Sequence, residues 1–184
     1  GEGHAPSNLR TGRSVQQLMQ NYEGKRKNHP AAVYRVRIDF KPDGWIDREA
    51  AILAELLTEV DVEAWVTFCC RDGAHLSDGT PLDDAIRAVT RTKRPVAVGV
   101  NCTAPQHIAS LLDRARSATD LPLVVYPNWG RVWNGDTYAW HGAGVDGFSR
   151  DLLDGWRRRG AVAIGGCCGI GPAAIADIAS WARD

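Results

Sequence analysis

Three of the five cysteines in this 184-residue chain stand where two short apolar runs end. One run is VAVGVNC, residues 96–102, and the other is AVAIGGCC, residues 161–168. Both have the β-branched character of strands, and parallel α/β barrels build their reactive sites at the C-terminal ends of strands. Three thiolates gathered there would make an incomplete tetrahedral zinc site, with its fourth position open to a substrate. The pattern indicates metal-assisted chemistry at sulfur.

The overall composition narrows the classes of protein that the chain can belong to. Its formal net charge is zero, so no global charge favours nucleic acid or an anionic membrane. No apolar stretch approaches the roughly 20 residues that span a bilayer, and the first residues lack an apolar signal core. We therefore expect a cytoplasmic protein. Five cysteines arranged as CC, C and CC make a poor disulfide framework, which leaves metal ligation or simple burial as their roles.

The chain changes character near residue 47. Residues 1–46 are rich in Lys and Arg and poor in apolar residues, and we interpret them as a divergent, poorly packed N-terminal segment. Within them, residues 14–22 could form a short helix and residues 32–40 alternate like a strand. From residue 47 onward the periodicity is regular, beginning with a helix that Asp47 can cap.

Four strand–helix units follow one another in this regular part. The predicted strands are residues 64–70, 96–102, 122–128 and 161–168; the helices begin near residues 81, 104, 148 and 172. A Trp- and Gly-rich loop is predicted for residues 129–147. Apolar strands alternating with helices predict a parallel sheet, and the Gly-rich strand ends favour a (β/α)8 TIM-barrel fold. Such a barrel has eight units in typically ~250 residues, so we expect a partial barrel of about four C-terminal units.

Strand periodicity suggests how the thiols could meet. With a period of two, Val98, Val100 and Cys102 share one face of their strand, and Cys168 can converge with Cys102 above the barrel axis. Cys167 would point the other way unless the chain bends, which the neighbouring glycines permit. The same spacing is also typical of small buried thiols, and from the residues alone both interpretations stay open. Cys69 and Cys70 end the first predicted strand, where we expect a structural role.

The two thiol motifs resemble those of a known family. GVNC, residues 99–102, together with GGCCG, residues 165–169, is similar to the zinc-dependent homocysteine S-methyltransferases. The likeness extends to CRDG…LSDGTPL and LPLVVYPNWG, and it covers residues 47–184, which would be the C-terminal half of a homocysteine-binding barrel. The resemblance implies that Cys102, Cys167 and Cys168 bind Zn²⁺. The YPN stretch is more similar to the members that use a sulfonium donor.

The reaction that this resemblance implies is transfer of a methyl group from S-methylmethionine or S-adenosylmethionine to homocysteine, which gives methionine. Homocysteine and the methyl-sulfonium donor are the expected partners. Tyr126 is a candidate substrate-binding residue because aromatic faces attract sulfonium cations. Asn128 could orient a substrate or be a plain turn residue.

The N-terminal half of the family pattern has no counterpart in residues 1–46, where Asp39 is a weak stand-in for a substrate-binding Glu. An abrupt start of the likeness near residue 47 suggests a truncated or frame-disrupted product. A half-barrel would have open strand edges, which predicts self-association and questions activity of the isolated chain. The alternatives are a non-catalytic metal-binding fragment or subunit that needs a partner half, the homocysteine-binding module of a cobalamin-dependent methionine synthase, and a structural half-barrel with buried thiols.

Overall fold

The computed structural model describes residues 58, 63–92, 95–134 and 136–184. All of them lie in the second of two units into which the chain divides, Phe40–Asp184. The predictions made for residues 1–46, and for the helix after Asp47 apart from Thr58, lie outside the described residues.

The described residues form a strand–helix succession with one hairpin. In chain order the elements are β1 (Ala64–Phe68), α1 (Leu82–Thr90), β2 (Pro95–Asn101), a 3₁₀ turn (Pro105–His107), α2 (Ile108–Ala118), β3 (Leu123–Tyr126), β4 (Val132–Asn134), β5 (Ala139–His141), α3 (Arg150–Arg158), β6 (Ala161–Ile164) and α4 (Pro172–Trp181). Strands β1, β2, β3 and β6 pair in that order, and every pair is parallel. The prediction of a parallel α/β sheet is confirmed.

The helices form where sequence periodicity and end signals agree. In α1 the buried residues are spaced three and four apart along the helix, at Leu82, Ala85, Ile86 and Val89. The hydroxyl of Ser149 caps α3 by accepting from the N–H of Leu152. Pro172 opens α4, where its missing N–H has no intrahelical partner to lose. In the part of the chain that the structure describes, no helix has the length and apolar character to cross a bilayer.

Burial separates the two faces of the parallel sheet. Val98 and Val100 are fully buried, and β2 contacts both α1 and α2. In the neighbouring strands Phe68 is paired with Val100, which is paired in turn with Val125, and both partners are also buried. The alternate residue Trp65 of β1 is 52% exposed. Helices therefore cover one face, and residues such as Thr67, Gly99 and Tyr126 lie on the other.

Two features differ from the sequence predictions. The parallel strands end earlier than predicted, so the cysteines and Asn128 stand in the loops that follow them. The predicted loop 129–147 contains the antiparallel hairpin β4–β5, in which Trp133 is paired with Trp140. Its first strand is short and mostly exposed. A strand of three residues is too short to show a periodicity that can be recognised from sequence.

Candidate metal centre

Cys102 directly follows the last residue of β2 and has an unusual backbone conformation. Its N–H donates to the carbonyl of Tyr126 at 3.0 Å, which extends the β2–β3 ladder by one residue. Its φ is +47°, in the left-handed region that side chains other than glycine rarely adopt. Strand periodicity predicted that the side chain of Cys102 lies on the same face as Val98 and Val100, which is the face that the helices cover. That part of the prediction was wrong. The change of backbone conformation at Cys102 ends the alternation before the thiol is reached.

Cys167 and Cys168 stand in a tight turn beyond β6. The N–H of Cys167 donates to the carbonyl of Pro127 at 2.7 Å, and its carbonyl accepts from the N–H of Ile170 at 3.1 Å. Gly169 has φ +79°. The bend that the glycines were expected to permit is present, and Cys167 joins the cluster because of it.

The three thiols converge, as predicted. Cys102 Sγ lies 3.3 Å from Cys168 Sγ, and Cys167 Sγ lies 4.0 Å from Cys168 Sγ. All three sulfur atoms lie within 4.8 Å of one another. Tetrahedral zinc with Zn–S bonds of ~2.3 Å requires sulfur atoms about 3.8 Å apart. Three cysteines with half-exposed to exposed side chains at these separations fit Zn²⁺ with one position open to a ligand.

The thiol of Cys102 resists ionisation. The pKa of Cys102 is raised well above its usual range by the hydrogen bond with Cys167, by partial burial and by Cys168. A negative charge on Cys102 would lie close to Cys167 and Cys168, so a bound cation would stabilise its thiolate form. A divalent metal would supply that compensation, and a donor set of three sulfurs favours zinc among the common divalent metals.

Two side chains donate hydrogen bonds to the backbone carbonyl of Cys102. Asn128 Nδ2 donates to the Cys102 carbonyl at 2.9 Å, and the thiol of Cys69 donates to the same oxygen at 3.3 Å. Asn128 is 7% exposed, and its Oδ1 accepts from the N–H of Gly130 at 2.7 Å. The carboxamide thus connects the Cys102 turn to the loop after β3. The bond to Gly130 agrees with the turn interpretation of Asn128, whereas the sequence analysis did not predict the bond to Cys102.

Tyr126, the other predicted substrate residue, lies on the face of the sheet opposite the helices. Its hydroxyl is hydrogen-bonded to Oγ1 of Thr67, two strands away. The ring therefore reaches across β2, where Gly99 has no side chain to obstruct it. This contact fixes the phenol on the same sheet face as Thr67, and contact with a substrate stays a prediction.

The indole of Trp129 packs on the turn that holds the two adjacent cysteines. A Cβ added to Gly169 would collide with the indole, so the two residues are in close contact. The backbone N–H of Trp129 donates to the carbonyl of Cys168 at 3.0 Å. Sequence reasoning did not assign this role to Trp129, because nothing in a local pattern links residues 40 positions apart.

Cys70 lies outside the cluster, and the structural role expected for it agrees with its burial. Its side chain is 7% exposed, and burial, with Cys69 and Asp72 nearby, raises its pKa to about 12. Its N–H donates at 2.8 Å to Oγ1 of Thr103, which is 1% exposed. Thr103 follows Cys102 directly, so this bond ties the end of β1 to the thiol loop.

Family comparison agrees with the thiol motifs. The family model for homocysteine S-methyltransferase matches residues 47–182. A homocysteine S-methyltransferase of Bacillus subtilis, YbgG, is 39% identical over 136 residues, which are 73% of this chain and 43% of that protein. The homocysteine S-methyltransferase of Escherichia coli is 42% identical over 130 residues, 70% of this chain and 42% of that one. The chain thus spans less than half the length of these curated relatives.

Solved structures show the same similarity. The metallated form of the homocysteine methyltransferase MmuM from Escherichia coli is 32% identical, with a TM-score of 0.66. The match covers 99% of this chain and 59% of that one. The apo form of the same enzyme matches with a TM-score of 0.64. The arrangement of strands and helices around the thiols is therefore similar to that of a metal-containing methyltransferase.

Proposed function

Because the chain belongs to the homocysteine S-methyltransferase family, we propose that it holds the metal and the thiol substrate in methyl transfer from a sulfonium donor to homocysteine. The observation that carries this proposal is the convergence of Cys102, Cys167 and Cys168 within 4.8 Å. We also propose that the sheet is four consecutive strands of a (β/α)8 barrel. The parallel order β1-β2-β3-β6 and the similarity to MmuM support that architecture.

The reaction needs a deprotonated sulfur nucleophile. A free thiol has a pKa near 8.5 and is mostly protonated at neutral pH. Bound at Cys102, Cys167 and Cys168, zinc would supply the Lewis acidity that keeps the homocysteine thiol ionised. The homocysteine sulfur forms a bond to the methyl carbon while the methyl–sulfonium bond breaks. The electron pair of the broken bond stays on the donor sulfur, and the donor leaves as a neutral thioether.

The residues of this chain position the reactants. A sulfonium is already activated, so holding nucleophile and methyl group in line is the main task of the protein. Asn128 and Cys69 fix the Cys102 carbonyl, which in turn fixes the direction of its thiol. Tyr126, held by Thr67, presents an aromatic face suited to a cationic donor. The second hydrogen on Nδ2 of Asn128 would serve to orient a substrate.

Zinc content tests the metal site directly. Purified chain loaded with zinc and desalted should hold one equivalent by plasma mass spectrometry, and Cys102→Ala, Cys167→Ala and Cys168→Ala should each lose most of it. Cys70→Ala is the matched control because it removes a thiol that lies outside the cluster. Absence of zinc from the unmodified chain, or full zinc content in Cys102→Ala, would sink the proposal.

Methionine formation tests the reaction. Homocysteine is supplied with S-methylmethionine in one arm and S-adenosylmethionine in the other, and the arm that yields methionine identifies the donor. A chain that binds zinc but forms no methionine in either arm would instead be a non-catalytic metal-binding subunit. The observation that favours this second candidate is the thiol cluster, which supports metal binding by itself.

A further inference from the structure

Three contacts join the turn that carries Cys167 and Cys168 to the loop after β3. Backbone groups supply two of the contacts: Pro127 accepts from Cys167, and Trp129 donates to Cys168. The third contact is the indole of Trp129 against Gly169. Gly169 follows the second cysteine directly, so the position of the indole limits the position of both thiols.

The indole of Trp129 is itself held in place. The guanidinium of Arg131 lies 4.5 Å from its ring centroid, and the ring of Trp140 meets it edge-on with centroids 6.0 Å apart. Its Nε1 is buried and has no hydrogen-bond partner among the described residues. The guanidinium of Arg131 and the ring of Trp140 thus fix the indole against the turn.

We propose that Trp129 is a positioning residue of the thiol site, whose indole holds the turn containing Cys167, Cys168 and Gly169 in its metal-binding conformation. This inference rests on the proposed function because it presumes that the thiols bind metal. Outer contacts that orient metal ligands change metal affinity by 10–100-fold when they are removed. An aromatic side chain at position 129 would therefore set the affinity of the site rather than the stability of the sheet alone.

The test is a titration of the whole chain with Co²⁺, whose thiolate charge-transfer band reports ligation by sulfur, together with chelator competition for Zn²⁺. Trp129→Ala should bind both metals at least tenfold more weakly, and Trp129→Phe should restore affinity to within about threefold of the unmodified chain. Trp65→Ala is the matched control, since Trp65 lies in β1 rather than in the hairpin and is 52% exposed. It should leave both affinities unchanged.

The outcomes separate the possible failures. If the unmodified chain shows no thiolate band, the proposed function fails. If it shows the band and the folded Trp129→Ala chain matches it in spectrum and affinity, only the role of Trp129 fails. A purely structural tryptophan would lower the melting temperature without changing either reading. Should circular dichroism show that Trp129→Ala is unfolded, Trp129→Leu takes its place, and the same fold-change decides.

Discussion

Asn128 Nδ2 donates to the carbonyl of Cys102 across 2.9 Å, although 26 residues separate them in the chain. Cys102 has left-handed backbone, and this bond, with the one from Cys69, holds its peptide group in that conformation. Backbone in this region is retained for a β-carbon-bearing residue only where its surroundings impose it. The geometry of the thiol site is therefore set by a loop that belongs to the next strand–helix unit.

Replacing Asn128 with Asp should weaken metal binding. The carboxylate keeps the acceptor that Gly130 uses but loses the donor to Cys102. We expect zinc affinity to fall about tenfold or more and unfolding free energy to fall by about 1–3 kcal/mol. Chelator competition measures the zinc affinity, and urea unfolding measures the unfolding free energy. Asn134→Asp is the control, because Oδ1 of Asn134 only accepts from backbone N–H groups. Equal zinc affinity in the two variants would contradict this account.

Replacing Gly99 with Ala should disrupt the sheet. A Cβ at Gly99 would collide with the carbonyl of Val124 in the neighbouring strand, and backbone cannot move aside as a flexible side chain can. We expect a loss of at least about 3 kcal/mol in unfolding free energy, at the upper end of overpacking effects. Gly155→Ala, inside α3, should instead stabilise by about 0.5–1 kcal/mol, because the new methyl meets only the flexible end of Arg159. Thermal unfolding that shows the same sign for both changes would refute the prediction.

Cys70 should make the protein sensitive to alkali. Its pKa is raised from 9.0 to about 12 by burial, so the folded state keeps a proton that the unfolded chain releases above pH 9. This contribution to stability is complete below pH 9 and is lost as the pH rises toward 12. Cys70→Ala should therefore show a slope of stability against pH that is shallower by up to about 1.4 kcal/mol per pH unit in that window.

Urea unfolding at a series of pH values measures the effect of Cys70. Between pH 6 and 8 the thiol is neutral in both states, so the difference in stability between the two proteins should stay constant there. That range is the internal control. Parallel stability curves from pH 9 to 12 would show that burial of Cys70 does not influence its ionisation.

The sequence by itself determined the succession of parallel strands and helices, and the resemblance of its two thiol motifs to a known family indicated which thiols meet. Buried strands such as Pro95–Asn101 and amphipathic helices such as Leu82–Thr90 are set by local periodicity, which survives in the folded chain. Parallel strands in sequential order bring their C-terminal ends to one edge of the sheet, so Cys102 and the pair Cys167–Cys168 were predicted together. The resemblance of the motifs then implied sulfur ligation of a metal.

Only the tertiary structure decided how the thiols reach each other. The left-handed backbone at Cys102, the bond from Asn128 to its carbonyl and the indole of Trp129 on Gly169 all join distant parts of the chain. The pairing of β4 with β5 likewise depends on strands too short to have a pattern of their own. Local sequence fixes which conformations a segment prefers, but contacts between loops select the conformation that places a sulfur atom to within an ångström.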